Sequence, residues 1–129
     1  MSAYALDASG VLAYLWRESG WEVVEQALLT APVLISTVNL TEVACKMLER
    51  GFLESDGCRL IESLGMKPID FDSEQAWRTA ALRSSTRQWG LSLGDRACLA
   101  LAQSQGIVAL TADRAWLDLQ IGIEVESIR

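Results

Sequence analysis

Apolar residues along this 129-residue chain fall into short blocks whose period changes at glycine, proline or small polar residues. Ala3 to Ala8 reads as a short, mostly apolar strand, too brief for a helix. Ser9-Gly10 reads as a break, after which Val11 to Trp16 begins a helix that Gly20 interrupts. Trp21 to Leu29 sets Trp21, Val24, Ala27 and Leu28 at helical spacing. Ala31-Pro32 marks a turn and Val33 to Ser36 a second strand. Ser36 is a candidate N-cap for a helix reaching Arg50, with Gly51 as its stop. Ser55 or Asp56 would cap the next helix, which reaches Leu64 and stops at Gly65. Lys67 to Phe71 is a third strand, and Asp72 or Ser73 starts a long helix ending near Trp89-Gly90. Ser92 caps Leu93 to Gln105, which Gly106 ends. Ile107 to Thr111 is a strand, Ala115 to Leu119 a short helix, and Ile123 to Ile128 a last strand.

Short strands alternating with helices imply parallel pairing through right-handed crossovers. The expected fold is a single α/β domain over residues 1–129, a three-layer α/β/α sandwich around a parallel sheet. No internal repeat, low-complexity tract or linker divides it.

Half of the residues are hydrophobic, enough for a real core, yet no apolar run approaches the ~20 residues of a membrane span. Met1 to Leu6 is too short for the apolar region of a secretory signal, so a cytoplasmic location is expected. Net charge is −6, which argues against a generic nucleic-acid binder but leaves room for an enzyme whose acidic site takes up cations. The chain has no histidine. That removes Ser-His-Asp triads, Cys-His nucleophiles, histidine zinc sites and histidine acid–base chemistry. Cys45, Cys58 and Cys98 form no CxxC pair, and each is expected to act as a small buried hydrophobe. The five tryptophans are expected to pack in the core or at an interface.

Four acids then stand out. Asp7 and Asp113 each follow an apolar strand, in YALDASG and VALTADRAW. Glu42, in NLTEVACKM, and Asp95, in LSLGDRACLALA, each sit in the first turns of an apolar helix. In a parallel sheet, strand ends and the starts of the following helices meet at one edge, where ligands bind. Each acid has an ordinary alternative. Asp7 and Asp113 suit helix caps, and Asp95 compensates a helix dipole behind Ser92. Glu42 shares a stripe with Asn39, Lys46 and Arg50, so a Glu42–Lys46 surface pair would account for it. Together, however, four carboxylates at one edge would repel, and hard divalent cations such as Mg²⁺ or Mn²⁺ prefer such oxygen ligands. An aspartyl-phosphate enzyme on a related fold would want a second Asp two residues after Asp7, where Ser9 stands.

The order strand-Asp7, N-L-x-E-V around Glu42, S-L-x-D-x-x-x-L-A-L-A around Asp95, and T-x-D ending at Asp113 resembles the PIN-domain ribonucleases, in particular the VapC-type toxins of toxin–antitoxin pairs. The likeness spans essentially the whole chain. It implies a sheet ordered 3-2-1-4-5 and an Mg²⁺- or Mn²⁺-dependent endoribonuclease, with RNA as substrate. It also implies a homodimer restrained by an antitoxin protein. It carries catalytic and metal-ligand roles to Asp7, Glu42, Asp95 and Asp113, and supporting polar roles to Thr111, Asn39 and Ser9. Asp118 competes with Asp113 as the last acidic ligand. Gly94 departs from the alanine common in the family, a change expected to matter little. Arg17, Arg87, Arg96 and Arg114 are candidate phosphate contacts with no ranking among them. Two rivals share the fold: a catalytically silent binding module, and a nuclease serving RNA processing outside a toxin–antitoxin pair.

Overall fold

The computed structural model describes residues 2–129. Five strands, β1 (Tyr4–Leu6), β2 (Val33–Ser36), β3 (Lys67–Ile69), β4 (Val108–Thr111) and β5 (Val125–Ser127), form one sheet. Every neighbouring pair is parallel, and the order is β3-β2-β1-β4-β5. The connecting helices are α1 (Ala8–Trp16), α2 (Trp21–Thr30), α3 (Thr37–Glu49), α4 (Glu54–Ser63), α5 (Ser73–Ala81), α6 (Arg83–Thr86) and α7 (Leu93–Gln105).

The strands alternate between two cores, as their period of two requires. Leu6, Val33, Ile35 and Leu110 face the core closed by Val11, Val24, Val43 and Met47 of α1, α2 and α3. Ala5 and Ala109, with half-buried Leu34, face the other core, built from α7, Leu82 and Trp116. Residues 97–102 of α7 are all buried, and Ala97, Cys98, Ala100 and Ala102 are small enough to bring its backbone close to the sheet. Asp95 therefore starts from a firmly seated helix.

Three local expectations are corrected. Ser9-Gly10 is no break, because α1 begins at Ala8 with Asp7 as its N-cap. No long helix runs to Trp89. The expected helix is interrupted after Ala81 by the single residue Leu82, and α6 resumes at Arg83 while the Leu82 carbonyl still accepts the Thr86 amide. Arg87–Trp89 then forms a 3₁₀ turn. Neither Ser55 nor Asp56 caps α4, which starts at Glu54 behind Leu53 and is supported only by acids in its first turn. The short helix expected after β4 is present as a 3₁₀ turn, Arg114–Asp118.

The cysteines and tryptophans divide by position. Cys98 is buried, but Cys45 and Cys58 lie on the exposed faces of α3 and α4. Trp116 is buried, Trp77 is 78% exposed, and Trp16 lies against Phe52 with the Arg50 guanidinium over its ring.

Leu110→Ala removes a fully buried side chain at the sheet centre and should cost about 2–5 kcal/mol, whereas Trp77→Ala should cost less than about 0.5 kcal/mol. Urea denaturation of the two variants checks the contrast.

Candidate active site

The site grows from the end of β1. Asp7 leaves the strand in an extended conformation and caps α1, accepting the Gly10 amide at 2.8 Å. A Cβ on Gly10 would stand 2.5 Å from Leu6 Cδ1 and 3.3 Å from Asp7 Oδ1, so a larger residue here would push the buried Leu6 side chain aside and crowd the carboxylate. Ser9 Oγ lies 2.9 and 2.8 Å from the two carboxylate oxygens and donates between them. Thr111 Oγ1, at the end of β4, donates to Asp7 Oδ2 at 2.6 Å. Both hydroxyls are oriented from behind by backbone amides, Ala112 N–H on Ser9 Oγ and Asp113 N–H on Thr111 Oγ1. Asp7 is 3% exposed.

A second set forms where α3 meets α7. Asn39 is buried, and its Nδ2 donates both to Glu42 Oε1 at 2.9 Å and to the Gly94 carbonyl at 3.0 Å. The Glu42 carboxylate lies over Gly94, where a Cβ would collide with it. The glycine is thus what makes room for this placement of Glu42. The Glu42–Lys46 pair does not form, since Lys46 pairs with Glu49. Asp95 completes a capping box: Ser92 Oγ accepts its amide, and its Oδ2 accepts the Ser92 amide. Asp95 Oδ1 and Glu42 Oε2 form no hydrogen bond among the described residues.

Asp113 stands apart. It is exposed, and its Oδ1 caps the following 3₁₀ turn through the Ala115 amide. It joins the site only through its backbone N–H to Thr111. Asp118, at the end of that turn, is also exposed.

Burial, helped by the Asp95 charge, pushes the Asp7 carboxyl up to about 6 against the lowering effect of the Thr111, Gly10 and Ser9 donors. Burial likewise raises the Cys98 thiol well above its usual range, and the charges of Asp7, Asp95 and Glu42 all add to this. Among the described residues no three acidic or cysteine side chains stand close enough to grip an ion in their present rotamers. The donor chemistry nevertheless fits a hard cation. It is all oxygen, one carboxylate is buried without a cationic partner, and two others keep a free oxygen.

Sequence reasoning missed Gly94 as the seat of Glu42. The available signal was a glycine inside the first turn of an otherwise strong helix, where it costs roughly 1 kcal/mol against alanine.

The comparisons with known proteins agree with this architecture. A family model described as PIN domain matches residues 4–121, and the chain belongs to that family. Among solved structures it is similar to a chain of VapBC2 from Rickettsia felis bound to a promoter DNA fragment, with TM-score 0.73 and 19% identity, covering 97% of this chain and 98% of that one. It is similar to a chain of DNA-bound VapBC from Salmonella typhimurium, with TM-score 0.73 and 18% identity over 100% of both. VapBC-5 from Mycobacterium tuberculosis contains another similar chain, with TM-score 0.66, 24% identity and coverage of 100% and 99%. At these identities the likeness shows the fold. No curated protein sequence matches the chain significantly.

Two predictions follow from the site. A carboxyl raised in the folded state binds its proton more tightly there than in the unfolded chain. Its contribution to stability is therefore full below the unfolded value near 3.8 and is lost as pH rises through about 6. For this buried group the loss is on the order of 3 kcal/mol. Asp7→Asn should remove that slope, so the difference between parent and variant in denaturant melts should change between pH 4 and 7 in EDTA. A constant difference would contradict the burial argument. Asp95→Asn, which weakens the capping box, should lose roughly 0.3–1 kcal/mol in the same buffer.

Proposed function

We propose that this chain is an Mg²⁺- or Mn²⁺-dependent endoribonuclease and the toxin of a type II toxin–antitoxin pair. The observation that carries the reading is the buried Asp7 carboxylate, held by Ser9, Thr111 and Gly10 and coupled by charge to Asp95 at one sheet edge. A carboxylate kept there against its desolvation cost is what an ion site requires and what a helix cap does not.

In this reading Asp7, Glu42 and Asp95 would hold the ion, and Asp113 would complete the set. A bound divalent cation supplies charge relief at the phosphate and activates water near neutral pH, so the lack of histidine is no obstacle. Asn39 fixes Glu42 and ties α3 to α7 through the Gly94 carbonyl. Its Oδ1 is a buried acceptor without a donor, and a water or substrate hydroxyl would satisfy it. Ser9 and Thr111 keep Asp7 in one rotamer, and the proton that Asp7 holds up to about pH 6 must leave before an ion enters.

The partner assignments rest on the relatives. The similar solved structures include VapBC toxin–antitoxin complexes, and on that analogy we assign this chain a protein antitoxin; the homodimeric state comes from the family resemblance, and the cytoplasmic location from the sequence reading. Leu29, Leu53 and Trp77 are more than two-thirds exposed and supply apolar surface for such contacts. No helix among the described residues is long and apolar enough to cross a membrane.

The test is RNA cleavage across an Mn²⁺ titration, run beside a simple phosphate ester. Cleavage of RNA but not of the ester, with a melting temperature that rises with Mn²⁺, is expected. Asp7→Asn and Glu42→Gln should each lose roughly two orders of magnitude in turnover or more, above the cost of removing an outer-shell partner. A protein that cleaves nothing and ignores Mn²⁺ would instead be the silent binding module. The present capping role of Asp113 and the spacing of the acids in their present rotamers favour that second reading.

A further inference from the structure

Three arginines open into one cavity beside the start of α7. It measures about 200 Å³ and is lined by Arg83, Thr86, Arg87, Gly90, Leu91 and Arg96. No carboxylate lines it. The ion pairs among the described residues are Lys46–Glu49, Arg78–Glu74 and Arg129–Glu18, so none of the three guanidinium groups is neutralised. This happens in a chain where 17 Asp and Glu face 11 Lys and Arg, and where pairing would be the easier outcome.

Arg96 anchors the group. It is 9% exposed, and its Nη1 donates to the Thr79 carbonyl at 3.1 Å. Its other nitrogens make no hydrogen bond, yet none is a buried unsatisfied atom. They therefore keep access to the cavity that Arg96 lines. Arg83 and Arg87 stand four residues apart across one turn, a spacing at which like charges repel. Holding three unpaired cations together is unfavourable until an anion joins them. Guanidinium forks match the oxygens of a phosphate in pairs. The volume equals roughly six or seven waters of liquid, enough for a tetrahedral oxyanion with part of its hydration. Arg96 directly follows Asp95, so the cavity and the acidic site share the first turns of α7, with the two side chains leaving the helix about 100° apart.

The geometry points to a phosphate subsite in which Arg83, Arg87 and Arg96 hold a backbone phosphate of single-stranded RNA beside the scissile one. The identity of the polymer rests on the endoribonuclease reading, whereas the preference for phosphate does not. This ranks Arg87 and Arg96 above the other candidate arginines and adds Arg83, which the sequence did not single out.

The experiment compares the full chain with Arg83→Gln/Arg87→Gln, two exposed positions whose replacement should leave the melting temperature in phosphate-free buffer unchanged. Arg96→Lys, which keeps charge but loses the fork, serves as a second variant. Inorganic phosphate should raise the melting temperature of the parent and not of the double variant. In EDTA, where nothing is cut, oligouridylate should bind the double variant roughly tenfold more weakly. Its salt slope should fall by about 0.7, the value for one single-strand phosphate contact. Equal phosphate stabilisation and equal RNA affinity in parent and double variant would overturn the subsite. So would arginine-dependent binding of polyglutamate together with indifference to oligouridylate, which would mark a site for an acidic protein segment. A parent that cuts no RNA in Mn²⁺ but loses its phosphate response in the double variant would sink the nuclease reading and leave the phosphate site standing.

Discussion

A carboxylate buried at the end of β1 sets the terms for everything around it. Asp7 joins three pieces of chain that are distant in sequence or direction: the strand it ends, the helix it caps and, through Thr111, the neighbouring strand β4. Charge in such a place is costly. The hydrogen bonds from Ser9, Gly10 and Thr111 reduce that cost without cancelling it, which is why the carboxyl still titrates near 6. The glycine at position 10 and the amide-backed hydroxyls have no other evident purpose than to hold this group in one orientation.

The second half of the site is assembled on α7. Its run of small buried residues fixes the helix against the sheet, so its first turn is a rigid platform for Gly94 and Asp95. Asn39 reaches across from α3 and bonds to that platform and to Glu42 at once. The acids therefore arrive from elements on both sides of the sheet, and their mutual repulsion is built in by topology. Asp95 shows that capping and site membership are compatible, since one oxygen serves Ser92 and the other stays free.

Much of this was legible in the chain because the punctuation was strong. Ser36, Asp72 and Ser92 cap helices where expected, and glycines 51, 65 and 106 follow helix ends with positive φ. The acids at the ends of β1 and β4 could be placed once the strands were placed. What could not be read depended on contacts across the fold or on side-chain competition. The one-residue interruption at Leu82, which divides α5 from α6, leaves no mark in the apolar periodicity. Cys45 and Cys58 look like core residues from their apolar neighbours, yet they lie on the outer faces of α3 and α4. That Glu42 lies over Gly94 could not be read before the fold, and Arg83 had no signal before the chain folded it beside Arg87 and Arg96.

The contrast among the three thiols has a practical side. Cys45 and Cys58 are open to solvent, while Cys98 lies under α7 with its Sγ 3.5 Å from the Ala5 carbonyl. A thiol reagent can reach Cys98 only when α7 lifts from the sheet, and the raised thiol value slows reaction further. With the two outer cysteines replaced by serine, the labelling rate of Cys98 becomes an internal clock for opening of the acidic edge. It reads local breathing of one helix without a chromophore, an isotope or any knowledge of what the protein cuts.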